Sequence, residues 1–128
     1  MSHLVLLGDS IFDNGAYVDG DPAVIDQVRS LLPKGWNATL LAVDGNVILD
    51  VREQIKRIPV DATHLVISMG GNDALGQLPQ LHSPTPHPMM QSLRLLTDIQ
   101  LNFANDYAEI LQVAGALGIP MMCCTIYN

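Results

Sequence analysis

The stretch Leu4-Val5-Leu6-Leu7-Gly8-Asp9-Ser10 decides how the rest of the chain is read. An apolar run this short, cut off by glycine and then by polar residues, predicts a strand buried on both faces. Such strands belong to parallel sheets with helices on each side. The same pattern returns twice: Thr39 to Val43 ends at Asp44-Gly45, and His64 to Met69 ends at Gly70-Gly71. A fourth apolar run covers Ile119 to Tyr127.

Helical patterns fill the gaps. Asp21-Pro22 reads as N-cap and first helical residue, with Val24, Ile25, Val28, Leu31 and Leu32 on one face and Pro33-Lys34-Gly35 as the stop. Val47, Ile48, Val51, Ile55 and Ile58 repeat at helical spacing up to Pro59. Ala74 to Met90 carries Pro79, Pro84, Pro86 and Pro88, so neither regular helix nor central strand is expected there. A long helix follows over Gln91 to Leu117, with a buried stripe at Leu96, Ile99, Phe103, Tyr107, Ile110, Ala114 and Leu117. Strands alternating with helices predict an α/β domain with a doubly wound parallel sheet. All 128 residues fit one domain, without internal repeats.

Composition narrows the functional classes. Hydrophobic residues make up 48% and charged residues 15%, which is a buried globular composition. The formal net charge of −7 repels phosphate backbones and anionic lipid, so nucleic acid and membrane surfaces are not expected partners. The opening residues lack a basic segment followed by a long apolar core, so a cytoplasmic setting is expected. Cys123 and Cys124 are adjacent and point to opposite faces of a strand, so they are expected as buried core thiols, not as a disulfide.

In an open parallel sheet, ligands bind beyond the carboxyl ends of the strands. Ser10, Gly45 and Asn72 each follow a different strand there, with Asp9, Asp13, Asp44 and Asp73 beside them. These residue types suit acyl transfer. Ser10 supplies a hydroxyl nucleophile and its own backbone N–H. Gly45 has no Cβ, so its N–H can approach a developing oxyanion closely. The Asn72 amide supplies a further donor. The four aspartates also fit a divalent-metal cluster, but N-capping and turn formation explain them without one. No cofactor is expected, since neither a Gly-x-Gly-x-x-Gly nor a Walker pattern occurs.

Gly8-Asp9-Ser10, Gly45 and Gly70-Gly71-Asn72-Asp73 resemble the first three sequence blocks of the SGNH (GDSL-type) hydrolases. The longer string Gly8-Asp9-Ser10-Ile11-Phe12-Asp13-Asn14 strengthens the match, and the resemblance runs from Leu4 to Asn128. It implies a flavodoxin-like α/β/α fold and an esterase- or lipase-like acylhydrolase acting on small esters or thioesters. It also implies Ser10 as nucleophile, with the Ser10 and Gly45 N–H groups and the Asn72 side chain as oxyanion donors. Asp9, Asp13, Gly71 and Asp73 support that site. Phe12 rules out the Gly-x-Ser-x-Gly elbow of the α/β-hydrolases.

The family draws its general base from a final Asp-x-x-His block, which is absent here. Asp61-Ala62-Thr63-His64 has that spacing. It opens the third strand, however, about 20 Å from Asn72 at the rise of an extended chain. His82 and His87, in the Pro-rich segment, are the remaining candidates. The chain is therefore expected to be C-terminally incomplete, with four of an expected five strands and little activity alone. The alternatives are a partner chain or second copy that covers the edge strand 119–127 and supplies the base, or a domain of the same fold that binds without catalysis. A phosphoacceptor receiver domain fits the length and acidity but not the Gly-Gly-Asn after the third strand.

Overall fold

The computed structural model describes residues 1–82 and 88–126. Its centre is a parallel four-stranded sheet, ordered β2-β1-β3-β4. The strands are β1 (Ser2–Gly8), β2 (Trp36–Leu40), β3 (His64–Ser68) and β4 (Met121–Cys123). The helices are α1 (Val24–Leu31), α2 (Val51–Ile55), α3 (Gly71–Leu75), α4 (Leu78–Leu81) and α5 (Met89–Gly115). Short 3-10 turns occupy Gly15–Tyr17 and Ile48–Asp50. This is the α/β flavodoxin-like arrangement. The strand order reverses between β1 and β3, so the switch point lies at their carboxyl ends.

The two-residue period of the strands sorts their side chains into two cores. Val5 and Leu7 of β1 and Leu65 and Ile67 of β3 face Ile48, Val51, Ile55, Ile110 and Ala114. Leu6 faces the other way, against Phe12, Ile25, Ala38 and Ala42. Each fully buried aliphatic side chain contributes about 1.5–3 kcal/mol by leaving water. The register Leu7↔Ile67 and Gly8↔Ser68 carries the β1–β3 ladder to the last residue of both strands.

Several boundaries depart from the sequence expectation. β2 begins and ends three residues early, because its hydrogen-bonded partners on β1 run from Ser2↔Trp36 to Leu6↔Leu40. Leu41 and Ala42 then both donate to the Leu6 carbonyl as the chain swings away. Asp21 does not cap α1; Asn14 reaches across, and its Oδ1 accepts the Val24 N–H at 2.9 Å. The pattern over Val47–Ile58 forms a 3-10 turn and a short helix. Part of the Pro-rich stretch is helical, because Pro79 sits in the first turn of α4, where its missing N–H costs nothing. The fourth strand is shorter than expected and lies at the sheet edge, which leaves Cys123 exposed and Cys124 half-buried. The expectation of two buried thiols is thereby corrected. Tyr127 and Asn128 lie outside the described residues.

On α5, Ile110 and Ala114 are buried against the sheet, and Phe103 and Tyr107 pack beside them. Leu96 and Leu117, expected in the same stripe, are exposed. Among the described residues, no helix is long and apolar enough to cross a membrane.

Candidate active site

Ser10 lies at the tip of a tight turn leaving β1. Asp9 builds that turn twice over: its carboxylate accepts the Ile11 N–H at 3.0 Å, and its carbonyl accepts Phe12 and Asp13 N–H at 3.2 and 3.0 Å. Phe12 then plugs into the core on the α1 side. Asp9 is buried, and that burial raises its carboxyl above the usual carboxylate range, against the lowering effect of the Ile11 hydrogen bond. Ser10 itself is half-buried, and among the described residues it has no side-chain hydrogen-bond partner.

The segment after β2 is folded onto this turn. Val43 donates to the Gly8 carbonyl at 3.1 Å, and Asn46 donates to the Val43 carbonyl at 3.1 Å, closing a four-residue turn. Gly45 is the third residue of that turn, with φ +82° and open space where a Cβ would be. A left-handed residue at this place favours glycine, and Gly45 is exposed. Its neighbour Asp44 is held on both sides. The Asp44 N–H donates to Asp13 Oδ2 at 2.8 Å, and the Tyr17 hydroxyl donates to Asp44 Oδ2 at 2.6 Å. That bond to a carboxylate pushes the Tyr17 hydroxyl up from its ordinary range. Gly45 follows Leu40 by five residues, further from its strand than the sequence pattern implied.

After β3 the chain passes through Gly70, at φ +108°, into α3. Asn72 and Asp73 both turn back to the β2 loop. The Asn72 side-chain amide donates to the Asn46 carbonyl at 2.8 Å. An asparagine amide carries two protons, so this bond orients the group and leaves one donor free. The Asp73 carboxylate accepts the Ile48 N–H at 3.0 and 3.2 Å. Burial raises the Asp73 carboxyl, with the Ile48 bond opposing and the negative charges of Asp106 and Asp50 adding a smaller upward push.

Gln54, on α2, was not singled out from the sequence. It is 1% exposed, and its amide grips the end of β1. Its Oε1 accepts the Gly8 N–H at 2.8 Å, while its Nε2 donates to the Gly8 carbonyl at 2.8 Å and to Asn46 Oδ1 at 2.9 Å. The available signal was a lone amide on an otherwise apolar helical face, between Val51 and Ile55.

The structure thus ties the loops bearing Ser10, Gly45 and Asn72 together at one edge of the sheet. Asp9, Ser68 and Gly71 line a cleft of about 180 Å³ there, with Cys124, Thr125 and Ile126 on its far side. A larger groove of about 510 Å³ begins at Asp73 and runs along α5 past Leu81, Leu96, Ile99 and Phe103. Leu81 lines this groove, whereas Leu78, Met89 and Met90 do not; all four are exposed.

The histidines divide by position. His64 opens β3, as expected, and stacks on Trp36 with ring centroids 5.0 Å apart. His3 lies near the amino end of β1, buried, with Nε2 2.8 Å from Thr39 Oγ1 and Nδ1 3.0 Å from Asp61 Oδ1, out of line for a hydrogen bond. His82 is exposed at the end of α4, and its Nδ1 lies 3.0 Å from the Leu78 carbonyl. His87 lies outside the described residues. Three of the four aspartates at the strand ends accept backbone N–H groups: Asp9 from Ile11, Asp13 from Asp44 and Asp73 from Ile48. Among the described residues, no three His, Cys, Asp or Glu side chains gather closely enough to hold a metal ion.

No protein-family model matches this chain, and no curated protein matches it as a relative.

Proposed function

We propose that this protein is a cytoplasmic serine acylhydrolase of the SGNH type, acting on small esters or thioesters. The observation that supports the reading is the bond from the Asn72 amide to the Asn46 carbonyl, which ties that amide to the loop carrying Gly45 near the β1/β3 switch point. In this reading the Ser10 hydroxyl oxygen attacks the substrate carbonyl carbon. The oxygen that becomes negative is met by the Ser10 and Gly45 N–H groups and by the free Asn72 amide proton. The general base takes the Ser10 proton on attack and passes it to the departing alcohol or thiol as the intermediate collapses to an acyl-Ser10 ester. Water then attacks that ester through the same oxyanion contacts. Donors fixed before the reaction act without reorganisation, and one such donor contributes about 3–4 kcal/mol to the transition state.

In this reading the base stands at the carboxyl end of the sheet, away from His3 and His64, which lie at the amino ends of β1 and β3. An extended strand of this length separates them from the site by roughly 15–20 Å. His82, His87 or a partner chain are the proposed sources. A second reading is a domain of this fold that binds a ligand without turnover. It is favoured by the lack of a hydrogen-bonded base at Ser10 among the described residues.

One experiment separates the two. The folded protein is incubated with a fluorophosphonate probe and with p-nitrophenyl acetate, and the labelled peptide is identified by mass spectrometry. Acyl transfer predicts label on Ser10 that is lost in Ser10→Ala, together with slow ester hydrolysis, as expected of a chain with little activity alone, that disappears with the same substitution. A folded chain that takes no label on Ser10 supports the binding domain instead.

A further inference from the structure

Gly8 is the last residue of β1, and its amide faces a place where β2 has already left the ladder. The β1–β2 register stops at Leu6↔Leu40. Past that point the Val43 N–H still reaches the Gly8 carbonyl at 3.1 Å, and Gln54 adds a side-chain amide, taking the Gly8 N–H on Oε1 and donating a second hydrogen bond to the Gly8 carbonyl. Its second amide proton goes to Asn46 Oδ1. Both donors and the acceptor are therefore used, on the end of β1 and on the loop after β2.

Burying a glutamine here is costly. Ordering its side chain loses rotamer freedom, and removing its amide from water adds a further penalty. Val51 and Ile55 beside it show that this face of α2 accepts aliphatic residues. An amide at this place has a use that an aliphatic residue lacks, because it makes one continuous path of hydrogen bonds. The path runs from Gly8, two residues before Ser10, through Gln54 to Asn46, and from the Asn46 carbonyl to the Asn72 side chain.

We infer that Gln54 is a positioning residue that sets the placement of Ser10 relative to Asn72, and so holds the nucleophile and the oxyanion donor in register. This rests on the acylhydrolase reading. A misplacement of about 1 Å between reacting groups costs on the order of 100-fold in rate. Removing one side of the tie should therefore slow the chemical step more than it weakens substrate binding.

The test is the inactivation of the full chain by a fluorophosphonate, resolved into the maximal rate kinact and the half-saturation constant KI. It compares wild type, Gln54→Met, Gln54→Glu and Asn46→Ala at a temperature where circular dichroism shows all of them folded. Gln54→Met removes every bond of the tie at similar volume, and Gln54→Glu keeps an acceptor for the Gly8 N–H but loses both donors. Asn46→Ala cuts only the link from Gln54 to the second loop, and it decides the matter if the Gln54 variants do not fold. The expected result is a fall in kinact of about tenfold or more in each folded variant, with KI within twofold of wild type. In an Asn72→Ala background the Gln54→Met effect should largely vanish. Variants that lose thermal stability but keep the wild-type kinact overturn the inference and leave Gln54 a structural amide. A folded wild type without label on Ser10 overturns the acylhydrolase reading, and this inference with it.

Discussion

A Cβ added to Gly8 would stand 1.7 Å from the carbonyl oxygen of Ser68. The glycine that precedes Asp9-Ser10 is thus the point where the β1 backbone meets the end of β3, and its φ of +133° is a value that other residues rarely adopt. Both reasons are independent of any chemistry at Ser10. Gly8→Ala should cost about 3 kcal/mol or more in stability, or prevent folding altogether. Urea unfolding followed by circular dichroism measures this; a midpoint within the error of wild type would mean that the strands separate freely here.

Asn72 offers the most direct test of the oxyanion reading. Asn72→Ala should lower kcat for p-nitrophenyl acetate, or kinact for a fluorophosphonate, by about 100-fold with little change in KM or KI. An unchanged rate would reduce the Asn72–Asn46 bond to a loop tether.

Asp9 predicts a pH dependence of stability. Its carboxyl is raised by burial, so the folded state holds the proton more tightly than the unfolded chain does. Between the ordinary value of 3.8 and the raised folded value, the native state binds more protons, and stability falls as pH rises through that window. Asp9→Asn keeps an oxygen for the Ile11 N–H and removes the buried charge. The variant should melt at a higher temperature than wild type at pH 7, and the gap should close below pH 3.8. Calorimetry across pH 3 to 8 reads the difference; a constant gap would show that ionisation of Asp9 is not its cause.

Asp73 holds the Ile48 N–H next to a fully buried isoleucine. Asp73→Ala leaves that donor without its carboxylate partner and should cost about 1–3 kcal/mol. Asp73→Asn retains an oxygen acceptor and should cost less. Amide hydrogen exchange at Ile48 should accelerate in the alanine variant and stay near wild type in the asparagine variant.

The surface pair Arg52–Glu109 joins the start of α2 to α5 with both side chains substantially exposed. Glu109→Gln should change stability by less than about 1 kcal/mol, and the change should shrink in high salt. A larger loss in a urea titration would show that this contact docks α5.

Where the sequence was legible, a strong local signal had no competitor. The apolar run Leu4–Leu7 and its glycine stop placed β1, and the run His64–Met69 placed β3, each within two residues. Both strands are central, so every residue along them must be apolar or satisfied. β2 and β4 were misjudged at their ends because they are edge strands. Hydrogen bonding to a single neighbour sets their limits, and apolarity continues past the last bond, as in Leu41–Val43. The N-cap of α1 was misplaced for a related reason: Asp21 has the right residue type locally, but Asn14 reaches Val24 from a different turn.

The candidate site divides in the same way. Ser10, Gly45 and Asn72 were visible because polar residues and glycines interrupt apolar runs at strand ends. Their mutual arrangement was not, because it depends on contacts between residues far apart in the chain. Gln54 is 46 positions from Gly8, and Asp73 is 25 from Ile48. No periodicity or local preference encodes such pairs.

By itself, then, the sequence determined the alternation of strands and helices, the parallel sheet and the residue types at its carboxyl edge, because apolar periodicity and glycine placement act over a few residues. The tertiary structure decided which carbonyl orients the Asn72 amide, which side chain completes the end of β1, and that Gly8 is held by the approach of Ser68. Those depend on the distance between segments, and packing of the two cores on either side of the sheet sets that distance.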